Sequence, residues 1–531
     1  MTSDTDALNG PTANRGNVPK SGAPDSADKQ PENSKPLKSL DKDLKRIGRL
    51  QQASLEQAHR LTGLGLGLLF LVLVWAFVEI YTGHIAGSGF VIVAAVIGGY
   101  MALNIGANDV ANNVGPAVGS RALTMLGALL IAAIFESAGA LVAGGDVVKT
   151  VSKGIIDPAA IGDARTFVWA MTAALLAAAL WINLATYVGA PVSTTHSIVG
   201  AVMGAGITAA GVGAVNWPTM GAIAASWVIS PVLGGVIAAA FLAFIKFMIL
   251  FREDKLGAAK RWVPLLVGLM AGIFSMYLVT KGLKKIWKPD ISWVGLFGLA
   301  VFAVTYAVVR PMVAKRALTL ENRRKAVSSL FVIPLICSAA LLSFAHGAND
   351  VANAVGPLAA IVHTTTTGGI ATQVDIPIWV LLVGGLGISA GLFLFGPKLI
   401  RTVGEKITKL DPLRAFCVAL SAAITVIVAS GLGLPVSSTH IAVGGVFGVG
   451  FFRELHVNWL RDALERRKAR RLNGGVIDPN DPKAEKKAKK ARRKKLVRRR
   501  HLVTIVAAWL VTVPAAAILS ALIFLALQAF V

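Results

Sequence analysis

The sequence predicts an all-α polytopic membrane protein: two inverted-topology helical repeats whose broken helices or hairpins form a central site. Composition, the length of the apolar runs, and one ordered set of motifs that occurs twice carry this expectation. Of 531 residues, 55% are hydrophobic and 15% charged, and the mean hydropathy is +0.65. These values lie beyond those of a water-soluble domain. Runs of about 18 or more apolar residues recur along the chain, each long enough to cross roughly 30 Å of hydrocarbon as a helix. Alternating ten-residue strands are absent from the pattern, which disfavours a transmembrane barrel.

Along the chain, residues 1–60 are rich in Ser, Pro, Asn, Asp and Lys without an aromatic, so a disordered hydrophilic tail is expected there. An extra N-terminal transmembrane helix, 61–86, follows; no apolar core lies near enough to the start to read as a secretory signal. The first span is placed at 64–81, with Glu79 snorkelling near its end. Further spans fall near 89–107, 121–145, 166–189, 193–213, 219–250, 262–280, 291–313, 327–346, 376–400, 412–434, 435–452 and 502–530. They group into repeat 1 (87–250), connecting helices (251–325) and repeat 2 (326–531), the last carrying an inserted basic loop at 453–501.

Two motifs define the duplication. GANDVAN begins at Gly106 and again at Gly347, and Pro-Val-Ser-(Thr/Ser)-Thr-His begins at Pro191 and again at Pro435. Between them Ser137-Ala-Gly aligns with Ser389-Ala-Gly, and after them Val215-Asn216-Trp217 aligns with Val457-Asn458-Trp459. Interrupted segments at matching places in two halves point to the binding site of a transporter.

The formal net charge of +25 is unevenly spread, since residues 461–500 alone hold 18 Lys and Arg against 5 Asp and Glu. Such a loop between hydrophobic segments reads as cytoplasmic. It is either a solvated topology determinant or a contact for anionic headgroups; nucleic acid is not implied, because no aromatic residues interleave the charge. The same rule sets the topology. With a cytoplasmic N-terminus and the 193–213 segment counted as a crossing, 14 of the 18 Lys and Arg in the clusters at 252–261, 281–288, 310–325 and 398–409 lie inside. A purely re-entrant segment leaves only 4 inside. Inverted repeats in the plasma (inner) membrane follow, with the N-terminus and loop 453–501 cytoplasmic and the C-terminus outside.

Chemistry is concentrated in the repeated motifs. An ionised Asp at membrane depth costs several kcal/mol and persists only with a partner or a water-filled cavity. Asp109 and Asp350, with Asn108, Asn112, Asn349 and Asn353 nearby, either offer a coupling cation the oxygen ligands a hard ion takes or exchange a proton, and Gly and Pro around them are expected to break the helix and free backbone groups. Their alternative is an interhelical hydrogen-bonded cluster that serves packing. Ser193, Thr194 and Thr195 in one half, and Ser437, Ser438 and Thr439 in the other, are expected at the N-terminus of a short helix behind a Pro at its first position, where free N–H groups and hydroxyls suit an anion. Simple capping is their alternative. His196 and His440 either shuttle a proton, orient a hydroxyl or make a structural hydrogen bond. Glu136 is a further intramembrane acid for a proton or cation, or a buried polar contact; its repeat counterpart is Ile388. Asn113 likewise stands where the second copy has Ala354. Asp146, Lys149 and Lys153 near a boundary read as solvated. Cys337 and Cys417 read as packed residues, and HExxH, P-loop and GxSxG patterns are absent, so no enzyme is expected.

At GANDVANNVGP, GANDVANAVGP, PVSTTH and PVSSTH the sequence resembles the inorganic phosphate transporter (PiT) family, over about residues 89–531. The resemblance implies a secondary transporter that moves inorganic phosphate, in some cases with a divalent metal, coupled to protons or sodium through an inverted-repeat fold. By motif it places Asn108, Asp109, Asn349, Asp350 and the Ser-Thr tips on the phosphate and cation path. No resident cofactor is expected; the partners are phosphate, the coupling cation and the bilayer, with homodimerisation left open. A sulfate permease of the same fold is the alternative, and an anion channel a more distant one.

Overall fold

The computed structural model describes residues 61–84, 87–188, 192–282, 289–369, 376–402, 410–472 and 499–529, the side chains of 458–506 and 509 excepted. The expected disordered tail and the middle of the basic 461–500 stretch lie outside the described residues. Among the described residues the fold is helical, with a single isolated bridge between Ile156 and Val215 and no strand. Eleven helices among the described residues are long and apolar enough to cross a membrane.

Repeat 1 contains α2 (Ser88–Asn108), α3 (Ala111–Gly119), α4 (Met125–Ala143), α5 (Gly145–Lys149), α6 (Ala164–Val188), α7 (Thr194–Ala210) and α8 (Trp217–Ile245), preceded by α1 (Leu61–Thr82). The connecting helices are α9 (Lys255–Gly282) and α10 (Ile291–Leu318), which pack on each other. Ile291, Trp293, Leu296, Val304 and Val308 of α10 remain exposed, as a lipid-facing surface requires. Repeat 2 contains α11 (Arg324–Ser329), α12 (Val332–Thr367), α13 (Ile378–Thr402), α14 (Pro412–Gly431), α15 (Ser438–Leu472) and α16 (Arg499–Ala529).

The halves interlock through exchanged pairs. Helix α2 packs along α13 while its counterpart α12 packs along α4; α7 packs along α16 while α15 packs along α8. Small residues set how close each pair comes. A Cβ on Gly106 would strike the Ile388 carbonyl, and one on Gly391 the Leu103 carbonyl. At the matching places a Cβ on Gly347 would strike the Glu136 carbonyl, and one on Gly139 the Phe344 carbonyl. Gly200 and Gly204 meet the backbone of Val513 and Ala517, as Gly444 and Gly448 meet that of Pro231 and Gly235. Lipid tails give little hydrophobic drive between helices, so this backbone approach supplies the packing contacts. The aligned serines meet each other, Ser137 Oγ lying 2.9 Å from Ser389 Oγ. A pair of equivalent residues in contact marks the local two-fold relation between the halves.

Four expectations about segments change. GANDVAN interrupts the helix only in the first copy, where the N–H groups of Asn112 and Asn113 turn to the carbonyls of Asp109 and Val110, three residues back. The second copy runs unbroken through the motif, and through Pro357, inside the 36-residue α12; there the motif is packed from α4, α13 and α14 at once, which holds the helix continuous. The second Pro-Val-Ser segment is not short, because α15 continues through Val457-Asn458-Trp459 to Leu472 and takes the start of the expected loop with it. In repeat 1 the same triplet ends the turn, with Asn216 accepting from the Thr219 N–H as the cap of α8. Finally, α7 is shorter than the expected 193–213, with 17 residues, about 25 Å of helix, the lower limit for crossing roughly 30 Å of hydrocarbon.

Candidate functional site

Each Pro-Val-Ser segment enters its helix through a serine cap. Ser193 Oγ accepts from the His196 N–H at 3.2 Å, and Ser437 Oγ from the His440 N–H at 3.4 Å. Helix α7 therefore begins at Thr194 and α15 at Ser438, and Pro435 lies three residues before its helix rather than at the first helical position. The serine competes for the first free N–H, and proline suits the extended approach. Pro191 lies outside the described residues.

This entry aims the next hydroxyls at the GANDVAN carboxylates. Thr194 Oγ1 donates to Asp109 Oδ2 at 2.6 Å, and Thr439 Oγ1, from the other repeat, donates to Asp109 Oδ1 at 3.1 Å. Asn112 Nδ2 donates to Thr439 Oγ1 at 2.8 Å. In the opposite sense Asn353 Nδ2 reaches Thr195 Oγ1 at 3.2 Å and Thr194 Oγ1 at 3.4 Å. Ser438 Oγ donates to Asp350 Oδ2 at 3.2 Å. Both carboxylates, both Val-Ala-Asn asparagines and hydroxyls of both helix starts thus gather in one cluster, with Asp109 and Asp350 each bringing an oxygen within 4.8 Å of the other. Asp109 and Asp350 are 2% and 1% exposed.

The remaining expected residues hold different places. Asn108 is half-buried and donates to Asp109 Oδ1 at 3.3 Å. Asn349 braces the extended segment before α15: its Nδ2 donates to Ser430 Oγ at 2.9 Å and the Leu434 carbonyl at 3.1 Å, and its Oδ1 accepts from the Val436 N–H. Thr195 Oγ1 donates to the Val436 carbonyl at 3.0 Å, so that one residue, Val436, is held from both halves. Gly433 in this segment has φ +70°, the left-handed region that glycine tolerates. His196 Nδ1 lies 2.8 Å from Ser193 Oγ, the hydroxyl-orienting geometry; its ring stacks on Trp227 and meets His440 edge-on at 5.1 Å.

Glu136 opens a second layer. Its Oε1 accepts from Asn113 Nδ2 at 2.8 Å, and its Oε2 lies 2.6 Å from His346 Nδ1. His346 Nε2 in turn lies 2.8 Å from Asp350 Oδ2, so one imidazole stands between two fully enclosed carboxylates. Reasoning from the sequence missed His346. A signal was there: the first copy has Ile105 at that place, and Glu136, His346 and Asn113 are the three positions where the copies differ as Ile388, Ile105 and Ala354. The departures coincide in space. At the equivalent α2–α13 contact the buried residues are Ile105 and Ile388.

Asp109, His346 and Asp350 each bring a ligand atom within 4.8 Å of the others. His346 Nδ1 is engaged by Glu136, and Asp109 and Asp350 offer carboxylate oxygens, the donor type that suits a hard cation. Asp350 Oδ1 and Asn353 Oδ1 are buried acceptors with no hydrogen-bond partner among the described residues, the kind of orphaned oxygen an ion satisfies. Asp146, expected to be solvated, instead pairs with Lys281 Nζ at 2.5 Å, and the same Nζ donates to the Gly431 carbonyl.

Known proteins resemble this chain over most of its length. Residues 105–520 match the model of the Phosphate transporter family. A protein of Helicobacter pylori that carries a phosphate-permease name is 46% identical, over 91% of this chain and 98% of its own. A similarly named protein of Pyrococcus abyssi is 38% identical, over 81% and 96%. A solved structure described as the sodium-dependent phosphate transporter superposes with a TM-score of 0.73 at 38% identity, covering 83% of this chain and 100% of that one. The chain therefore belongs to the phosphate transporter family.

Proposed function

We propose that this protein is a secondary active transporter that imports inorganic phosphate by cation-coupled symport. The observation that supports it most is the convergence on Asp109 of hydroxyls from both helix starts, Thr194 at 2.6 Å and Thr439 at 3.1 Å. Phosphate is a mono- or dianion at neutral pH, and carrying it through a low-dielectric barrier beside carboxylates requires positive charge between them. Asp109, Asp350, Asn112 and Asn353 hold the cation, with Glu136 behind them. Thr194, Thr195, Ser438 and Thr439, supported by Asn108 and by the caps Ser193 and Ser437, meet the phosphate, while Asn349 holds the segment that presents them. The solved relative is sodium-dependent by its title, which favours sodium over a proton. An oxygen-rich site also admits a divalent metal as cargo with the phosphate. Catalysis has no part in this reading.

In proteoliposomes, labelled phosphate is expected to accumulate with an inward sodium gradient and to equilibrate passively without one. Uptake indifferent to sodium and proton gradients would sink symport, and preference for sulfate would sink the substrate. The halves are taken to be inverted in the plasma membrane, with the N-terminus inside. Single cysteines placed after Phe251 and after Val313 are then expected to label from the cytoplasmic side; labelling from outside contradicts that topology.

A further inference from the structure

Beyond the central cluster, a second set of charges gathers at the end of α8. At the end of α8 the backbone loosens into a π-turn, Lys246–Leu250, and buries Lys246 to 6% exposure. Its Nζ stands 4.9 Å from the centroid of the Phe452 ring. Arg324 of α11, Arg414 of α14 and Arg453 of α15 all lie close enough for their charges to act on Lys246, and Arg414 and Arg324 also act on Arg453. These four cations lie on elements that pack together, α15 and α14 on α8 and on each other and α11 on α14, and His456 stacks on Phe452.

The carboxylate among them is committed. Arg414 Nη2 donates to Asp411 Oδ2 at 2.8 Å and its backbone N–H to Oδ1 at 2.9 Å. Burial alone would raise the Asp411 carboxyl, but the hydrogen bonds and charge of Arg414 hold it below its ordinary value. Among these residues, Asp411 thus supplies one negative charge against four positive. Arg414 Nε is buried with no hydrogen-bond partner among the described residues. An ammonium kept from water beside guanidinium groups is costly, and an aromatic face returns only about 0.5–2 kcal/mol. A π-turn is itself uncommon and concentrates at functional sites. An anion would resolve both the repulsion and the orphaned donor.

We propose that Lys246, Arg324, Arg414 and Arg453 form a binding site for a phosphate-class oxyanion, either a phospholipid headgroup or free inorganic phosphate. Guanidinium forks match phosphate oxygens in pairs, and lysine adds a compact charge. Lys246 closes a membrane-length helix, the depth at which headgroup phosphates lie.

The test uses the full chain in nanodiscs of phosphatidylcholine doped with phosphatidylglycerol. Native mass spectrometry reads phosphatidylglycerol retention, and equilibrium binding of labelled inorganic phosphate in neutral detergent reads stoichiometry. The Arg324→Gln/Arg453→Gln pair and, separately, Lys246→Met are each expected to weaken one probe by about tenfold or more. Lost lipid retention with unchanged phosphate stoichiometry assigns a headgroup. Loss of a phosphate equivalent beyond the central one assigns free phosphate. Variants that elute as wild type and bind both probes unchanged overturn the site. Arg324→Gln alone, at an exposed position, keeps the test decisive if the other variants misfold.

Discussion

Asp350→Asn is expected to reduce phosphate uptake to that of empty liposomes, with membrane insertion and elution unchanged. The substitution keeps the size of the side chain and an acceptor for the Ser438 hydroxyl, which sits 3.2 Å away. It removes the charge that faces His346 Nε2 and the buried Oδ1 that has no hydrogen-bond partner among the described residues. If that oxygen serves a travelling cation, the amide cannot replace it, because a neutral group no longer offsets the ion in low dielectric. Retained near-normal uptake would remove Asp350 from coupling and return it to the packing role that buried polar clusters also fill.

The second large effect concerns three places where the repeats differ and the differing residues meet, Glu136, His346 and Asn113. Glu136→Ala leaves His346 Nδ1 and the Asn113 amide facing an apolar gap, and removing one member of a buried charged set typically costs about 3–5 kcal/mol. A sharp fall in the detergent melting temperature is expected. Changing all three residues to their counterparts, Glu136→Ile with His346→Ile and Asn113→Ala, copies the α2–α13 contact, where Ile105 and Ile388 are buried. Well-packed apolar replacements of buried ion sets are often neutral or stabilising. The triple variant is therefore expected to regain the melting temperature and still fail to transport. Recovery of both would make the Glu136–His346–Asn113 set structural alone; recovery of neither would mean the halves are not equivalent enough to exchange these contacts.

Much of this was legible in the sequence because duplication marks what must occur twice. The two carboxylates, the hydroxyl triplets and the Gly spacing recur, and the glycines map onto equivalent contacts, as Gly106 on Ile388 and Gly347 on Glu136 do. The departures were less legible. A histidine before GANDVAN carries no motif of its own, and its partner Glu136 is 210 positions away, so only the exchanged packing of α4 on α12 brings them together. Helix breaks were misplaced for a related reason: Gly and Pro lower helix propensity locally, but neighbours on every side hold α12 continuous past Gly347 and Pro357. The roles of Asn349 and Ser193 also depend on tertiary context. The same residue types either meet a ligand or brace a backbone, and here Val436 and the His196 N–H are what they reach.

GANDVAN as the cation half of a site, and the Ser-Thr helix starts as its anion half, together form the central claim. Equilibrium binding of labelled phosphate to the purified protein, with sodium and with an inert organic cation of equal ionic strength, tests it most directly. The account expects sodium to tighten phosphate binding by about tenfold or more in the wild type and to have no effect in Asp109→Asn or Asp350→Asn. Phosphate that binds equally well with and without sodium, or variants that keep the sodium effect, would contradict it.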